Sequence, residues 1–190
     1  MKNALKDYVY ELAKSVCQSD FDTLNKIAEL ILETKKTHAH IYTAGNGGSA
    51  ATASHVTNDL IKGCRVGDNT GFAASSLNDS VPVITCLAND FSYEDVFSIQ
   101  LETNARKGDL LLVFSGSGNS PNIINAVKAA KKIGMTVIGF SGRDGGQLNG
   151  ICDVLIIAPT DSMEQIEDMH LIYEHALVSV LHQTLSEGAK

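Results

Sequence analysis

The sequence predicts an α/β fold built on a doubly wound parallel sheet. Short apolar runs alternate along the chain with segments of helical period, the pattern of repeated βαβ units. The turns between them are tight and glycine-rich, as at Gly45-Asn46-Gly47-Gly48 and Gly116-Ser117-Gly118. Leu110-Leu111-Leu112-Val113-Phe114 is a continuous apolar run, which fits a strand buried on both faces of a parallel sheet. In such sheets ligands bind beyond the carboxyl ends of the strands, at a topological switch point.

Each element has its own reason. Leu5, Val9, Leu12, Ala13 and Val16 recur with helical period and predict a helix over residues 4 to about 18. Ser19 or Asp20 can cap a second helix through Leu24, Ile27, Ala28, Leu30 and Ile31. These two helices form an extension, 1–37, ahead of an α/β core with a long C-terminal helix, 38–190, all in a single domain. Being amphipathic, the pair is suited to pack on the core or on another subunit. The first strand falls near 39–44, followed by a glycine turn and a helix to about Lys62 that Gly63 ends. Residues 64–80 are polar and irregular around a weak apolar patch, Gly71-Phe72-Ala73-Ala74. Residues 81–87 read as the second strand, with Pro82 at its start and Asn89-Asp90 beyond its carboxyl end. Residues 93–106 read as helix, 110–114 as the third strand, and 121–133 as a helix with Pro121 in its first turn. The fourth strand is 135–140, and Arg143-Asp144-Gly145-Gly146 is a turn. The fifth strand is 153–158, and the last helix runs from 162 to about 187.

Composition narrows the function classes. A chain of 190 residues with 44% hydrophobic residues, 16 glycines and 3 prolines is globular in type. Its formal charge of −7 argues against a general nucleic-acid binder, which would present a basic face. An anionic ligand stays open, because N–H and hydroxyl groups can cradle phosphate without net positive charge. Cys17, Cys64, Cys86 and Cys152 show no C-x-x-C spacing. The N-terminal stretch is charged and lacks the apolar core of a secretory signal. Reduced thiols in a cytoplasmic protein are therefore expected. No apolar run reaches the ~18 residues of a membrane span, so no membrane partner is expected.

Two turns look built for an anion. Gly45, Gly47 and Gly48 allow close backbone approach, and Ser49 is read as the N-cap of the next helix. The free N–H groups and dipole of a helix N-terminus favour phosphate. Ser115, Ser117 and Ser120 alternate with Gly116 and Gly118 between a buried strand and a second helix start. A serine-rich turn could merely cap its helix, but one serine suffices for that. His55 and Asp59, four apart, share a helix face. On the last helix, Glu167, His170 and His175 can face roughly one way. If the two faces meet, His55, Asp59, Glu167 and His175 converge as metal ligands or as general acid and base. Each stripe could equally be a solvated helix face. His38 and His40, flanking the first strand, are read as structural.

Taken together, G-N-G-G-S with His55 following, S-G-S-G-N-S-P-N and S-G-R-D-G-G resemble the sugar-isomerase (SIS) domain over residues 20–185. Asn89-Asp90 and the histidine-rich last helix are similar to the phosphoheptose isomerases, which interconvert sedoheptulose 7-phosphate and D-glycero-D-manno-heptose 7-phosphate. The resemblance implies a flavodoxin-like five-stranded parallel sheet and a homotetramer with sites at subunit interfaces. It implies sugar-phosphate binding by Asn46, Gly47, Gly48, Ser49, Asn89, Asp90, Ser115, Gly116, Ser117 and Ser120. It also implies Zn²⁺ held at positions matching His55, Asp59, Glu167 and His175, and heptose supply for lipopolysaccharide or capsule.

The chain departs from that pattern at the reacting end. Asp59 stands where the family carries glutamate, and Glu167 where it carries glutamine. Lys62-Gly63 replaces a Gly-Arg, and Gly116 replaces a threonine of the serine turn. The expected chemistry is aldose–ketose isomerisation through an ene-diol. Glu167 or Asp59 moves the proton between C1 and C2, and His175 is the opposing acid. A different phosphosugar, a sugar-phosphate sensor and a replication-initiator-associating protein are the alternatives. A partner-binding protein would not need the acid–base set.

Overall fold

The computed structural model describes residues 2–67 and 70–188. Residues 68 and 69 of the irregular segment 64–80, and residues 1, 189 and 190 of the 1–190 domain, lie outside the described residues.

Two helices lead the chain, α1 (Lys2–Cys17) and α2 (Phe21–Thr37). The Asp20 carboxylate caps α2, accepting from the Thr23 N–H at 3.0 Å. Five strands follow: β1 (Ile41–Gly45), β2 (Ala74–Ser76), β3 (Leu110–Ser115), β4 (Thr136–Gly142) and β5 (Val154–Ala158). They form one parallel sheet in the order β2-β1-β3-β4-β5, with Ile41 opposite both Ala74 and Leu110. Helices α3 (Gly48–Asn58), α4 (Val81–Asp90), α5 (Ser98–Asn104), α6 (Pro121–Ile133) and α7 (Met163–Gly188) complete the fold.

The two sheet faces bury separate cores, as the period of two in β3 requires. Leu110, Leu112 and Phe114 join Ile27 and Ile31 from α2, Val56 from α3, Leu60 just past it and Tyr173 from α7. Leu111 and Val113 join Leu101, Ile123 and Val127 from α5 and α6. Each such side chain contributes about 1.5–3 kcal/mol by leaving water. Helix α6 ends at Gly134, whose left-handed φ of 92° lets its N–H reach the Ala130 carbonyl.

The structure corrects the predicted second strand. Residues 81–90 are the helix α4, and the paired strand is the short β2 inside the segment read as irregular. Pro82 fits the first helical turn, where a missing N–H costs nothing, and Ser80 provides the cap. The β-branched run Val81-Pro82-Val83-Ile84-Thr85 imitated a strand, yet no residue of α4 is buried. The predicted helix 93–106 is a 3₁₀ turn, Tyr93–Asp95, followed by α5.

Candidate active site

Strand order reverses between β1 and β3, since β1 leads outward to β2 and β3 leads the other way to β4. The glycine turn and the serine turn therefore flank the switch point, each running into a helix N-terminus. Gly47, with φ 55°, occupies the N-cap of α3, and Ser49 lies buried within the helix. Ser49 is thus not the cap. A Cβ at Gly45 would strike the Ser49 carbonyl, so strand and helix can close this tightly only through glycine.

The serine turn is held from beneath. Gly118 has φ 64°, and a Cβ there would run into the Gly145 carbonyl. Asn119 accepts from the Gln147 N–H at 3.0 Å and donates to the Ser117 carbonyl at 2.8 Å. Ser120 stands at the N-cap of α6 without a side-chain capping bond, so its hydroxyl is not spent on the helix. It lies 3.4 Å from the hydroxyl of buried Ser115. Hydroxyls and helix N–H groups together can cradle a phosphate.

Three residues that the sequence reading passed over fix this edge. Asn122, 2% exposed on α6, exchanges two amide hydrogen bonds with Asn46 at 2.8 and 2.9 Å. Tyr93 donates its hydroxyl proton to Asn46 Oδ1 at 3.0 Å. Asn78 clasps Gly45 from both sides, accepting from its N–H at 3.1 Å and donating to its carbonyl at 2.9 Å. Only S-P-N, with an asparagine just inside a helix start, hinted at Asn122; pairing across the sheet edge needs the fold. Asn89 and Asp90 sit exposed on the last turn of α4, not beyond a strand, with Asn89 donating to Asp90 at 2.8 Å.

The second half of the site lies between α3 and α7. His55, Asp59, Glu174 and His175 bring one potential ligand atom each within 4.8 Å of one another. The His55 and His175 Nε2 atoms are 3.3 Å apart. His55 Nε2 is 3.5 Å from Asp59 Oδ2, and His175 Nε2 is 3.4 Å from Glu174 Oε2. Asp59 opens a π-helical turn, Asp59–Gly63, that continues α3, a local geometry common at functional sites. Glu174 is 1% exposed, and neither of its oxygens has a hydrogen-bond partner among the described residues. Burial first, and then the Asp59 carboxylate, push its pKa up to about 8. Two imidazoles and two carboxylates are a donor set that suits a divalent transition metal.

Glu167 and His170 do not join this group. The Glu167 carboxylate lies over Gly48 at the head of α3, where an added Cβ would come within 2.6 Å of its Cδ. His170 is fully buried beside Phe114 and Phe140, its Nε2 3.1 Å from the Ser141 carbonyl. Burial lowers its pKa to about 4. The expected common face of Glu167, His170 and His175 is therefore split three ways, because α7 is enclosed on more than one side. Glu174 escaped notice because a carboxylate beside aromatic Tyr173 on a core-facing stripe has no motif of its own.

Comparison with known proteins agrees with this geometry. The SIS domain family matches residues 5–142. A phosphoheptose isomerase of Aliarcobacter butzleri is 36% identical over 189 residues, 98% of this chain and 100% of that protein. One from Helicobacter pylori is 34% identical over 91% of this chain and 90% of its own. Among solved structures, phosphoheptose isomerase GmhA of Neisseria gonorrhoeae superposes with a TM-score of 0.89 at 30% identity. That match covers 96% of this chain and 98% of the other.

Proposed function

The chain belongs to the phosphoheptose isomerases of the SIS-domain family, and we propose that it interconverts sedoheptulose 7-phosphate and D-glycero-D-manno-heptose 7-phosphate. The observation that carries the reading is the division of labour along α3. Its N-terminus lies at the switch-point cradle, and its C-terminal turn bears His55 just ahead of Asp59. Ser49, Ser115, Ser117, Ser120 and the N–H groups of Gly47, Gly48 and Gly116 bind the phosphate. Asn46, held by Asn122 and Tyr93, orients the sugar hydroxyls, with Asn89 and Asp90 approaching from α4. Asp59, grouped with His55 and His175, carries the proton between C1 and C2, whereas Glu167 lies over Gly48 at the other end of α3. In the metal-free protein His175, exposed beside His55, gives and recovers the proton on the carbonyl oxygen; with an ion held there, the ion would polarise that oxygen instead.

The His55, Asp59, Glu174 and His175 group fits a divalent ion, because an orphaned buried carboxylate and two facing imidazoles otherwise lack a common partner. When bound there, Zn²⁺ would polarise the carbonyl and stabilise ene-diolate charge. The close approach of His55 and His175 favours an enzyme over a partner-binding protein, which would not need it.

The functional unit is a homotetramer in the cytoplasm. Val81 and Phe91, 66% and 69% exposed on and beside α4, and Leu5 and Val9 on α1 need cover that a second copy supplies. The deciding experiment is turnover of sedoheptulose 7-phosphate with and without added zinc, following the aldose. His175→Ala should lower turnover far more than sugar-phosphate binding; equal losses in both would remove His175 from its role.

A further inference from the structure

We propose that Glu174 is the fourth ligand of the divalent-metal site, completing a two-histidine, two-carboxylate set with His55, Asp59 and His175. This deepens the isomerase reading and rests on it only for what the ion does to the sugar. Three observations carry it. Glu174 is 1% exposed with both carboxylate oxygens lacking a hydrogen-bond partner among the described residues. A carboxylate in that state is costly unless a cation or donors meet it. Among the described residues no lysine or arginine does so; its ion-pair contact is the imidazole of His175 at 3.4 Å. The carboxylate is aimed into the same 4.8 Å cluster as both imidazoles and Asp59.

The residue that would compete for this role is elsewhere. Glu167 is seven residues earlier on α7 and lies over Gly48. Glu174 and His175, adjacent on α7, reach the cluster from its buried and exposed sides, with His55 and Asp59 facing them from α3 and the π turn. Charge points the same way. Two neutral imidazoles and two carboxylates balance a divalent ion. Glu167 then remains free at the head of α3, on the sugar-phosphate side of the site.

The test uses the full chain stripped of metal by chelation, then titrated with Zn²⁺ alone and no sugar. Wild type should take up one zinc per chain. Glu174→Gln should weaken zinc binding by about 100-fold or more, beyond what loss of an outer-shell partner costs. Glu167→Gln should stay within about threefold of wild type, as expected of a group outside the ligand set. Thermal melts add a readout of opposite sign. Metal-free Glu174→Leu should melt above metal-free wild type, because it removes a buried polar group that has no hydrogen-bond partner among the described residues. Added zinc should raise the wild-type midpoint and leave both Glu174 variants unmoved. The Co²⁺ spectrum of wild type should differ in band position from that of Glu174→Gln. Wild-type zinc affinity in Glu174→Gln, or loss of zinc in Glu167→Gln alone, would overturn the assignment, as would a wild type that takes up no zinc. Zinc uptake lost with Glu174 in a protein that fails to turn over sedoheptulose 7-phosphate would uphold the ligand and strike the isomerase reading.

Discussion

Lowering the pH from 7 towards 4 should destabilise the fold through His170, a residue remote in role from the sugar. Its imidazole is fully buried on α7 beside Phe114 and Phe140. Its Nε2 faces the Ser141 carbonyl, which only accepts, so Nε2 carries the proton and Nδ1 is bare. Nδ1 has no partner among the described residues, and a second proton there would meet no acceptor. Burial holds the folded pKa at about 4, against 6.5 for a free imidazole. Below 6.5 the unfolded chain takes up a proton that the folded chain refuses until about 4. The unfolded state then binds more protons, and stability falls as pH falls through that window. The gap between 6.5 and about 4, at about 1.36 kcal/mol for each step of one in pKa, is about 3 kcal/mol. Urea unfolding of wild type and His170→Leu at steps across the window isolates this from the acid titration of carboxylates. Near pH 7 the variant should be weaker by about 1 kcal/mol, from the lost hydrogen bond to Ser141. Near pH 4 the order should reverse. Parallel loss of stability in both proteins across the window would refute the reasoning.

Other perturbations follow from the cradle. Gly118→Ala forces a Cβ into the Gly145 carbonyl at φ 64°, so it should cost about 1–3 kcal/mol in a melt and abolish protection by inorganic phosphate. Gly48→Ala meets the movable end of the Glu167 side chain instead, so stability should change by less than about 1 kcal/mol while turnover falls at least tenfold. Tyr93→Phe removes one bond to Asn46, worth about 1 kcal/mol, and should lower the melting midpoint by about 2–4 °C and raise KM severalfold.

How much of this was readable beforehand depends on how local each signal is. Helix α6 and strand β3 were legible almost to the residue, because Pro121, Gly134 and the uninterrupted Leu110–Phe114 run act through nearest neighbours. The glycine-rich turns ahead of α3 and α6 were legible for the same reason. The segment 74–90 was not. Val81-Pro82-Val83-Ile84 has strand composition, but Ser80 caps it, Pro82 suits a first helical turn, and Ile84, Leu87 and Ala88 pack only partly against the core. Strand β2 is three residues of small side chains whose place is set by pairing with β1, a fact that no window of sequence contains. At the site, i to i+4 spacing joined His55 with Asp59 correctly. On α7, spacing could not say which side faced α3 and which faced the sheet. Helical period alone therefore left Glu167, His170 and Glu174 in competition, and packing separated them: His170 to the core, Glu167 to the glycine turn, Glu174 to the imidazoles.

That separation bears on why a long sugar suits this chain. The cradle and the imidazole pair are not side by side; they are joined by α3. From Gly48 to His55 is seven residues, a rise of about 10 Å. Carbon–carbon bonds of about 1.5 Å mean that roughly seven bonds, laid end to end, are needed to cover it. From C1 to phosphorus a heptose 7-phosphate has six carbon–carbon bonds and a phosphoester, whereas a triose phosphate has two and a phosphoester. On the proposed site assignment, a short sugar held by the cradle would leave its carbonyl away from His175. On that reading helix α3 is a spacer, and both of its ends are held. Gly45 packs too closely on Ser49 for the start to shift, and the π turn beginning at Asp59 is pinned where the Phe72 N–H meets the Leu60 carbonyl at 2.9 Å. The net charge of −7 is no obstacle to an anionic substrate, because helix N–H groups and hydroxyls can cradle a phosphate without net positive charge, while Asp59 and Glu174 stand at the far end of α3.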